Sequence, residues 1–375
     1  MMNIAILGFG TVGYGVYEMA LKSDDLKVKY VLDLVEHNDI EAKSVTDINV
    51  ILNDPEVDTV VELIGGRDVA LKFITATLNA GKNVITANKL VICENYKSLT
   101  ALAVEKGVAL RYTAAVGGGI PWLINLERTV RTSKVQSIEG ILNGTTNYIL
   151  DAMHKDGTDF ADALKTAQQL GFAEADPSSD IDGLDTGRKI GISANIAFGV
   201  CVNPAEIAIC GIGGVSSKTL NDCEKHGYLC RLIATATSSE DGISAYTEPT
   251  LVKDDSSWSA VSRNLNRIEY KAENVGVGAY LGFGAGRYPT AYTVINDCID
   301  VASGVKRTYN SSINDVTLNN SAVSHCYYVA APACDKLDPS LIKERWDNGV
   351  VTHPQTVSYM HAFAKENDAF IAGIL

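Results

Sequence analysis

Asp185 and Lys189 stand four residues apart, just downstream of an acid-rich run, Gly171-Phe172-Ala173-Glu174-Ala175-Asp176-Pro177-Ser178-Ser179-Asp180. The apolar pattern over 183–200 predicts a helix, and residues four apart share one helical face. Such a face can present a carboxylate and an ammonium to the same small molecule. Alone, the pair reads as an exposed i,i+4 salt bridge contributing only ~0.3–0.5 kcal/mol. A nucleotide-binding signature at the other end of the chain shifts that balance.

That signature is Gly8-Phe9-Gly10-Thr11-Val12-Gly13, a G-x-G-x-x-G that leaves a predicted strand and opens a predicted helix. Its glycines permit a tight turn and let the backbone approach a pyrophosphate at the helix N-terminus. Asp33 closes the next strand and can accept hydrogen bonds from an adenosine ribose. The residues after it, Leu34-Val35-Glu36-His37, include no Arg or Lys to pair a 2′-phosphate, so NAD is expected over NADP. Two further strand ends lie on the edge where doubly wound sheets bind ligands. Val60-Val61-Glu62-Leu63-Ile64-Gly65-Gly66 ends in glycines that can pass under a cofactor, and Val84-Ile85-Thr86-Ala87-Asn88-Lys89 ends in a cation.

The elements that must position these groups fall into two textures. Over 1–125, short β-rich runs (3–7, 28–32, 59–64, 83–86, 108–113) alternate with helical patterns (12–20, 68–80, 96–106). Alternation of this kind implies right-handed βαβ units, a parallel sheet and a Rossmann dinucleotide-binding domain. A helix over 290–302 is expected to return to that domain, completing it within about 290–320. From 126 to 289 the pattern becomes α+β: a strand at 135–142, helices from 148, over 160–170 and over 183–200, then alternating strands at 243–247, 260–269 and 272–281. The exposed strands offer a pairing surface. The remaining 325–375 reads as a short αβ tail with strands near 326–330 and 369–375 and a helix near 356–365.

Composition narrows the class. At 375 residues and 46% hydrophobic content, the chain can bury cores for two or three domains, and its net charge of −13 argues against nucleic acid or an anionic membrane as partner. No run approaches a membrane span, and no signal-peptide pattern opens the chain, so a cytoplasmic location is expected. The eight cysteines are irregularly spaced and read as reduced thiols. Cys223, His226 and Cys230 have the types of zinc ligands, but they lack a paired second half and read as a helix face.

The motifs GFGTVG at 8–13, ELIGG at 62–66, ITANK at 85–89, GGGIPW at 117–122, GILNGTTNYIL at 140–150, AEADPSSDIDGLDTGRK at 173–189 and GFGAGRYPTA at 282–291 together resemble the homoserine dehydrogenase family. The resemblance implies reversible NAD(P)-dependent interconversion of L-homoserine and L-aspartate 4-semialdehyde by a dimer. It makes Glu174 and Asp185 substrate ligands aided by Asp180, Lys189 the acid/base lysine, and Lys89 a neighbour of the reacting oxygen. Gly144 and Thr145 match a substrate-lining turn. Gly171 and the Gly284-Ala285-Gly286 turn match cofactor contacts. The acid-rich run suits the α-ammonium of homoserine, and with no histidine in these motifs a lysine is the available proton acceptor. A second cation at Lys89 would push a lysine pKa towards the working pH, and Asp185 would oppose that.

The chain also departs from the family's pattern. Thr113 replaces a glutamate that helps hold a monovalent cation, leaving the carbonyls of Val116, Gly118 and Ile120 as candidate sodium or potassium ligands. Phe172 replaces a common tyrosine. The tail is shorter than the ACT domain many members carry, which argues against feedback inhibition by threonine. Two other readings stay open: a related amino-acid oxidoreductase such as an aspartate dehydrogenase, and a non-catalytic NAD sensor.

Overall fold

A computed structural model describes residues 1–305 and 313–375. The part of the expected return segment at 306–312 lies outside the described residues. The chain divides into two compact units, Met1–Leu126 with Phe283–Asn314, and Glu127–Gly282 with Asp315–Leu375.

The first unit is built on a six-stranded parallel sheet. Its spatial order is Lys43–Val45, Leu26–Leu32, Met2–Leu7, Thr59–Glu62, Asn83–Thr86, Leu110–Arg111. Buried β-branched runs make these strands, and alternate side chains feed opposite faces. Ile4 and Ile6 join one core with Val16 and Ala20 of the helix Thr11–Ala20 and Ala291, Val294 and Cys298 of the helix Arg287–Ala302. Ala5 and Leu7 join the other core, with Leu32, Ile51 and Val60. Strand order reverses between Met2–Leu7 and Thr59–Glu62, so the Gly8 loop and the Leu63–Gly66 loop leave adjacent carboxyl ends at the switch point where such sheets bind ligands.

One helix here is longer than its periodicity indicates. The run expected to begin near 96 begins at Lys89, because the Asn88 side chain accepts from Val91 N and caps it; non-helical angles at Asn95 mark the kink that hides the join.

The second unit carries a ten-stranded sheet. The hairpin Tyr228–Ser239 and Gly242–Lys253 lies at its centre, flanked on one side by Val135–Ile141, Leu265–Ala272 and Gly276–Phe283. Buried residues of the helices Gly144–Asp156, Phe160–Gln169 and Ser217–Lys225 share one core with Leu232 and Leu251 of that hairpin. Three expectations are corrected here. The helix at 217 stops at Lys225, since Gly227 takes a left-handed φ of 79° and turns the chain into a strand, so Cys230 is a strand residue. The alternating runs at 260–269 and 272–281 are shifted strands, Leu265–Ala272 and Gly276–Phe283, separated by a turn. The helix expected from 148 begins at Gly144, capped by Asn143.

The tail does not stand apart. Ile371–Ile374 pairs in parallel with Gly242–Lys253, and Tyr327–Ala330, Gly349–Thr352 and Ile342–Trp346 continue the same sheet. The hairpin Ile342–Trp346/Gly349–Thr352 has no counterpart in the expected pattern. Its charged strand, Ile-Lys-Glu-Arg-Trp, is an exposed edge, so it lacks the hydrophobic alternation that marks a half-buried one.

A buried charge cluster clamps the tail to the sheet. Glu248, 1% exposed, accepts from His325 Nε2 at 2.7 Å, His361 Nε2 at 2.8 Å and the Tyr327 hydroxyl at 3.1 Å. Burial alone would raise its carboxyl, but the two histidines outweigh burial and hold it below the ordinary glutamate value of 4.5. A carboxyl lowered in the folded state adds stability that is present above the unfolded pKa and is lost as pH falls through the folded one. The thermal midpoint should therefore drop below about pH 4.5 more steeply for the native chain than for Glu248→Gln. Parallel pH profiles for the two proteins would remove Glu248 from this role.

Candidate active site

The dinucleotide loop of the first unit is shaped by close backbone approach. A Cβ on Gly8 would lie 2.7 Å from the Leu63 carbonyl oxygen, and one on Gly13 would lie 2.0 Å from that of Gly8. Only glycine fits either place. A Cβ on Gly10 would meet nothing within 4 Å, so that side of the loop, at the N-terminus of Thr11–Ala20, is open to a phosphate group. Asp33 accepts from Phe9 N at 2.8 Å and Leu34 N at 2.6 Å, one bond on each carboxylate oxygen. Lone pairs remain for a ribose. His37 lies 3.6 Å from the same carboxylate and packs on the Phe9 ring.

Two loops at this sheet edge are tied together by a carboxylate that sequence reasoning passed over. Glu62 is fully buried; one oxygen accepts from Ile64 N at 2.8 Å and the other from the Thr86 hydroxyl at 2.7 Å. Burial raises its carboxyl against the pull of these donors. Thr86 in turn accepts from Asn88 N, and the Asn88 amide donates to the Gly66 carbonyl. This chain of bonds ties the Gly65-Gly66 turn to Asn88, the residue just before Lys89, which is the first of its helix.

The turn between 113 and 121 carries the candidate cation ligands. The Gly118 carbonyl accepts from the Thr293 hydroxyl and the Ile120 carbonyl from Trp122 N, both at 2.7 Å. The Thr113 hydroxyl donates to Asp297 at 2.8 Å. Gly118 also packs on Gly284, where a Cβ would be 2.5 Å from the carbonyl carbon. Gly286 stands at the N-cap of Arg287–Ala302.

In the second unit, Gly183 turns the chain into the helix Leu184–Phe198, placing Asp185 in its first turn and Lys189 one turn on. Both are buried, at 5% and 7% exposure, which excludes the ordinary surface salt bridge. The Lys189 ammonium donates to Asp185 at 2.7 Å and to the Leu142 carbonyl at 2.6 Å. Asn143 is the organiser. Its amide nitrogen donates to Asp180 at 2.7 Å and Asp185 at 2.8 Å, while its oxygen accepts from Thr146 N and caps Gly144–Asp156. Burial, and then the charge of Asp185, raises the Asp180 carboxyl. Thr145 donates to the Phe172 carbonyl at 2.6 Å, and Gly144 lies so close to Asn264 that a Cβ would be 2.8 Å from its carbonyl oxygen.

Of the expected substrate residues, Asp180, Asp185 and Thr145 thus gather round Asn143 and the helix it caps. Glu174 is exposed on the loop after Phe160–Gln169, its backbone carbonyl accepting from Gln168, outside the hydrogen-bonded cluster; Gly171, also exposed, opens the same loop. Asn143 carried one legible signal: asparagine is among the residues favoured at the N-cap of a helix, and here it directly precedes a helical run.

Comparison with known proteins agrees across both units. The family model described as the homoserine dehydrogenase NAD binding domain matches residues 8–113, and that described as homoserine dehydrogenase matches 121–299. A homoserine dehydrogenase of Bacillus subtilis is 34% identical over 319 residues, 81% of this chain and 74% of the relative. One from Pseudomonas aeruginosa is 30% identical over an alignment covering 100% of this chain and 91% of the relative. The crystal structure of a homoserine dehydrogenase from Thiobacillus denitrificans superposes with a TM-score of 0.88 at 28% identity, covering 100% of this chain and 98% of that one. By these matches over both of its halves, the chain belongs to the homoserine dehydrogenase family, oxidoreductases that act on a CH–OH group with NAD(P).

Proposed function

We propose that this chain interconverts L-homoserine and L-aspartate 4-semialdehyde, with NAD(H) as its preferred cofactor, in threonine, methionine and isoleucine biosynthesis. The observation that carries the reading is the buried pair of Lys189 and Asp185. An ammonium withdrawn from water costs stability unless it is fully paired, and a protein has little reason to retain one that does no work. Here it is held next to two carboxylates, in a cluster suited to an amino-acid substrate.

The roles divide as follows. Asp180 and Asp185, with Glu174 from its loop, receive the α-ammonium of homoserine, and Asn143 keeps the two aspartates at one spacing. Gly144 and Thr145 line the substrate at the start of their helix. As the neutral amine, having first released a proton, Lys189 takes the hydroxyl proton as the alcohol is oxidised, and as the ammonium it gives a proton back in the reverse direction, with Lys89 beside the reacting oxygen. Bound NAD supplies the hydride acceptor. Gly8, Gly10, Thr11, Val12, Gly13 and Gly65 admit its phosphates and Asp33 its ribose, with Gly171, Gly284 and Gly286 as further contacts. Residues 1–125, completed after 290, form the dinucleotide-binding domain and 126–289 the catalytic and dimerisation domain. The 325–375 tail extends the second unit's sheet rather than serving as a feedback module.

Among the described residues no helix is long and apolar enough to cross a membrane, and all eight cysteines are free thiols. A cytoplasmic setting fits the thiols. A homodimer fits the terminal strand of the larger sheet. On Gly276–Phe283, Val277, Leu281 and Phe283 share one face and are all more than half exposed, an apolar stripe of the kind a second copy covers.

Three measurements test the proposal. With NAD and homoserine, the absorbance of reduced nicotinamide should rise, and Lys189→Ala should slow that rise by at least ~10²-fold while leaving NADH binding nearly intact. Near-normal turnover in the variant would remove the lysine assignment, and a native protein that binds NADH without turnover would be a sensor. The kcat/KM ratio should favour NAD over NADP by on the order of 10-fold or more, since Asp33 would repel a 2′-phosphate; a clear NADP preference would refute this. Light scattering should give the mass of two chains, and a monomer at micromolar concentration would exclude the dimer.

A further inference from the structure

Thr293, Asp297 and Asp300 recur at i, i+4 and i+7 on the helix Arg287–Ala302 and so share one face. That face meets residues 111–118 of the same unit. Asp297 accepts from Arg111 Nε at 2.9 Å, the Thr113 hydroxyl at 2.8 Å and Thr113 N at 3.1 Å. Asp300 accepts from Arg111 Nη2 at 2.5 Å. Thr293 donates to the Gly118 carbonyl at 2.7 Å. Arg111 and Asp297 are 1% and 2% exposed, so this pair is a buried, charge-balanced core, while Asp300 reaches Arg111 from the surface with its side chain 40% exposed.

These contacts bear on the cation that the family resemblance leads one to expect at this turn. A sodium or potassium ion binds where several oxygens aim at one point, and a nearby negative charge strengthens such a site. Thr113 brings no charge, and its hydroxyl already donates to Asp297. Two of the three candidate carbonyls, Gly118 and Ile120, already accept from donors of the chain itself. The carboxylate that does reach this turn, Asp297, is neutralised by a guanidinium. A metal ion sharing that carboxylate would face the guanidinium's charge in a site with little water to screen it.

We propose that this chain has replaced the monovalent cation with a side chain of its own. Arg111, gripped by Asp297 and Asp300, supplies the fixed positive charge, and the Thr293 hydroxyl serves the carbonyl that a metal would otherwise bind. Folding and catalysis are then indifferent to sodium and potassium. The inference rests on placing the family's cation at this turn, and its main readout is stability, so it can fail while the proposed activity stands.

The test is thermal unfolding of the full chain, desalted into tetramethylammonium chloride and compared in sodium and potassium chloride at matched ionic strength. Midpoints should agree within about 1 °C, because an ion that binds the folded state raises the midpoint by mass action. Homoserine oxidation should differ by less than about twofold among the three salts. A midpoint or rate that climbs and saturates with sodium or potassium, and not with tetramethylammonium, overturns the proposal. Arg111→Gln removes the built-in charge and should acquire a sodium- or potassium-dependent midpoint; a variant equally destabilised in all three salts would reduce Arg111 to a structural ion pair. Should that variant fail to fold, Arg111→Lys keeps the charge and is expected to remain indifferent to the salt, and a cation requirement in it would count against the proposal.

Discussion

A lysine ammonium cannot be buried without partners, and the second unit is arranged around meeting that demand at Lys189. Desolvating the charge alone would cost several kcal/mol. Asp185 offsets it from one turn earlier on the same helix, and the Leu142 carbonyl from the end of a strand. Asn143, the next residue, spends its amide on Asp180 and Asp185 and its oxygen on a helix N-terminus. One short segment therefore stops a strand, starts a helix and sets the carboxylates that flank the lysine. The chemistry assigned to the site and the packing that supports it use the same hydrogen bonds.

Buried charges organise the rest of the molecule by the same rule. Glu62 joins the two loops at the ligand edge of the parallel sheet, Arg111 fastens the turn after the sixth strand to the helix Arg287–Ala302, and Glu248 holds the tail through two histidines. Each is nearly fully buried and each is met by at least two donors or acceptors. Such sites are weak sources of net stability but strong constraints on geometry, because a shift that loses one partner strands a charge in a medium of low dielectric. That suits positions where loops must be held still.

Much of the architecture was legible because its signals are local. Alternating β-branched runs and helical patterns announced the parallel sheet, and the glycine loop followed by Asp33 announced the nucleotide edge. Misreadings came where one side chain outweighed the periodicity around it. Asn88 and Asn143 extended helices towards their N-termini by capping them, and Gly227 converted an apparent helix into a strand. The edge hairpin of the tail was invisible for a different reason: its outer strand is charged and largely exposed, and its partner Gly349–Thr352 is a short, fully buried run, so neither shows the alternation of a half-buried strand.

The residues alone determined the family, the order of elements and the list of groups capable of chemistry, since motifs, periods and caps act over a few positions. They did not determine whether Asp185 and Lys189 would form an idle surface pair or a buried one. That depended on Leu142 and Asn143, which meet the pair across 47 and 42 positions of chain. Nor did they determine that Thr113 would meet a carboxylate 184 residues away. Burial and charge pairing are set by which distant segments pack together, and only the folded chain decides that.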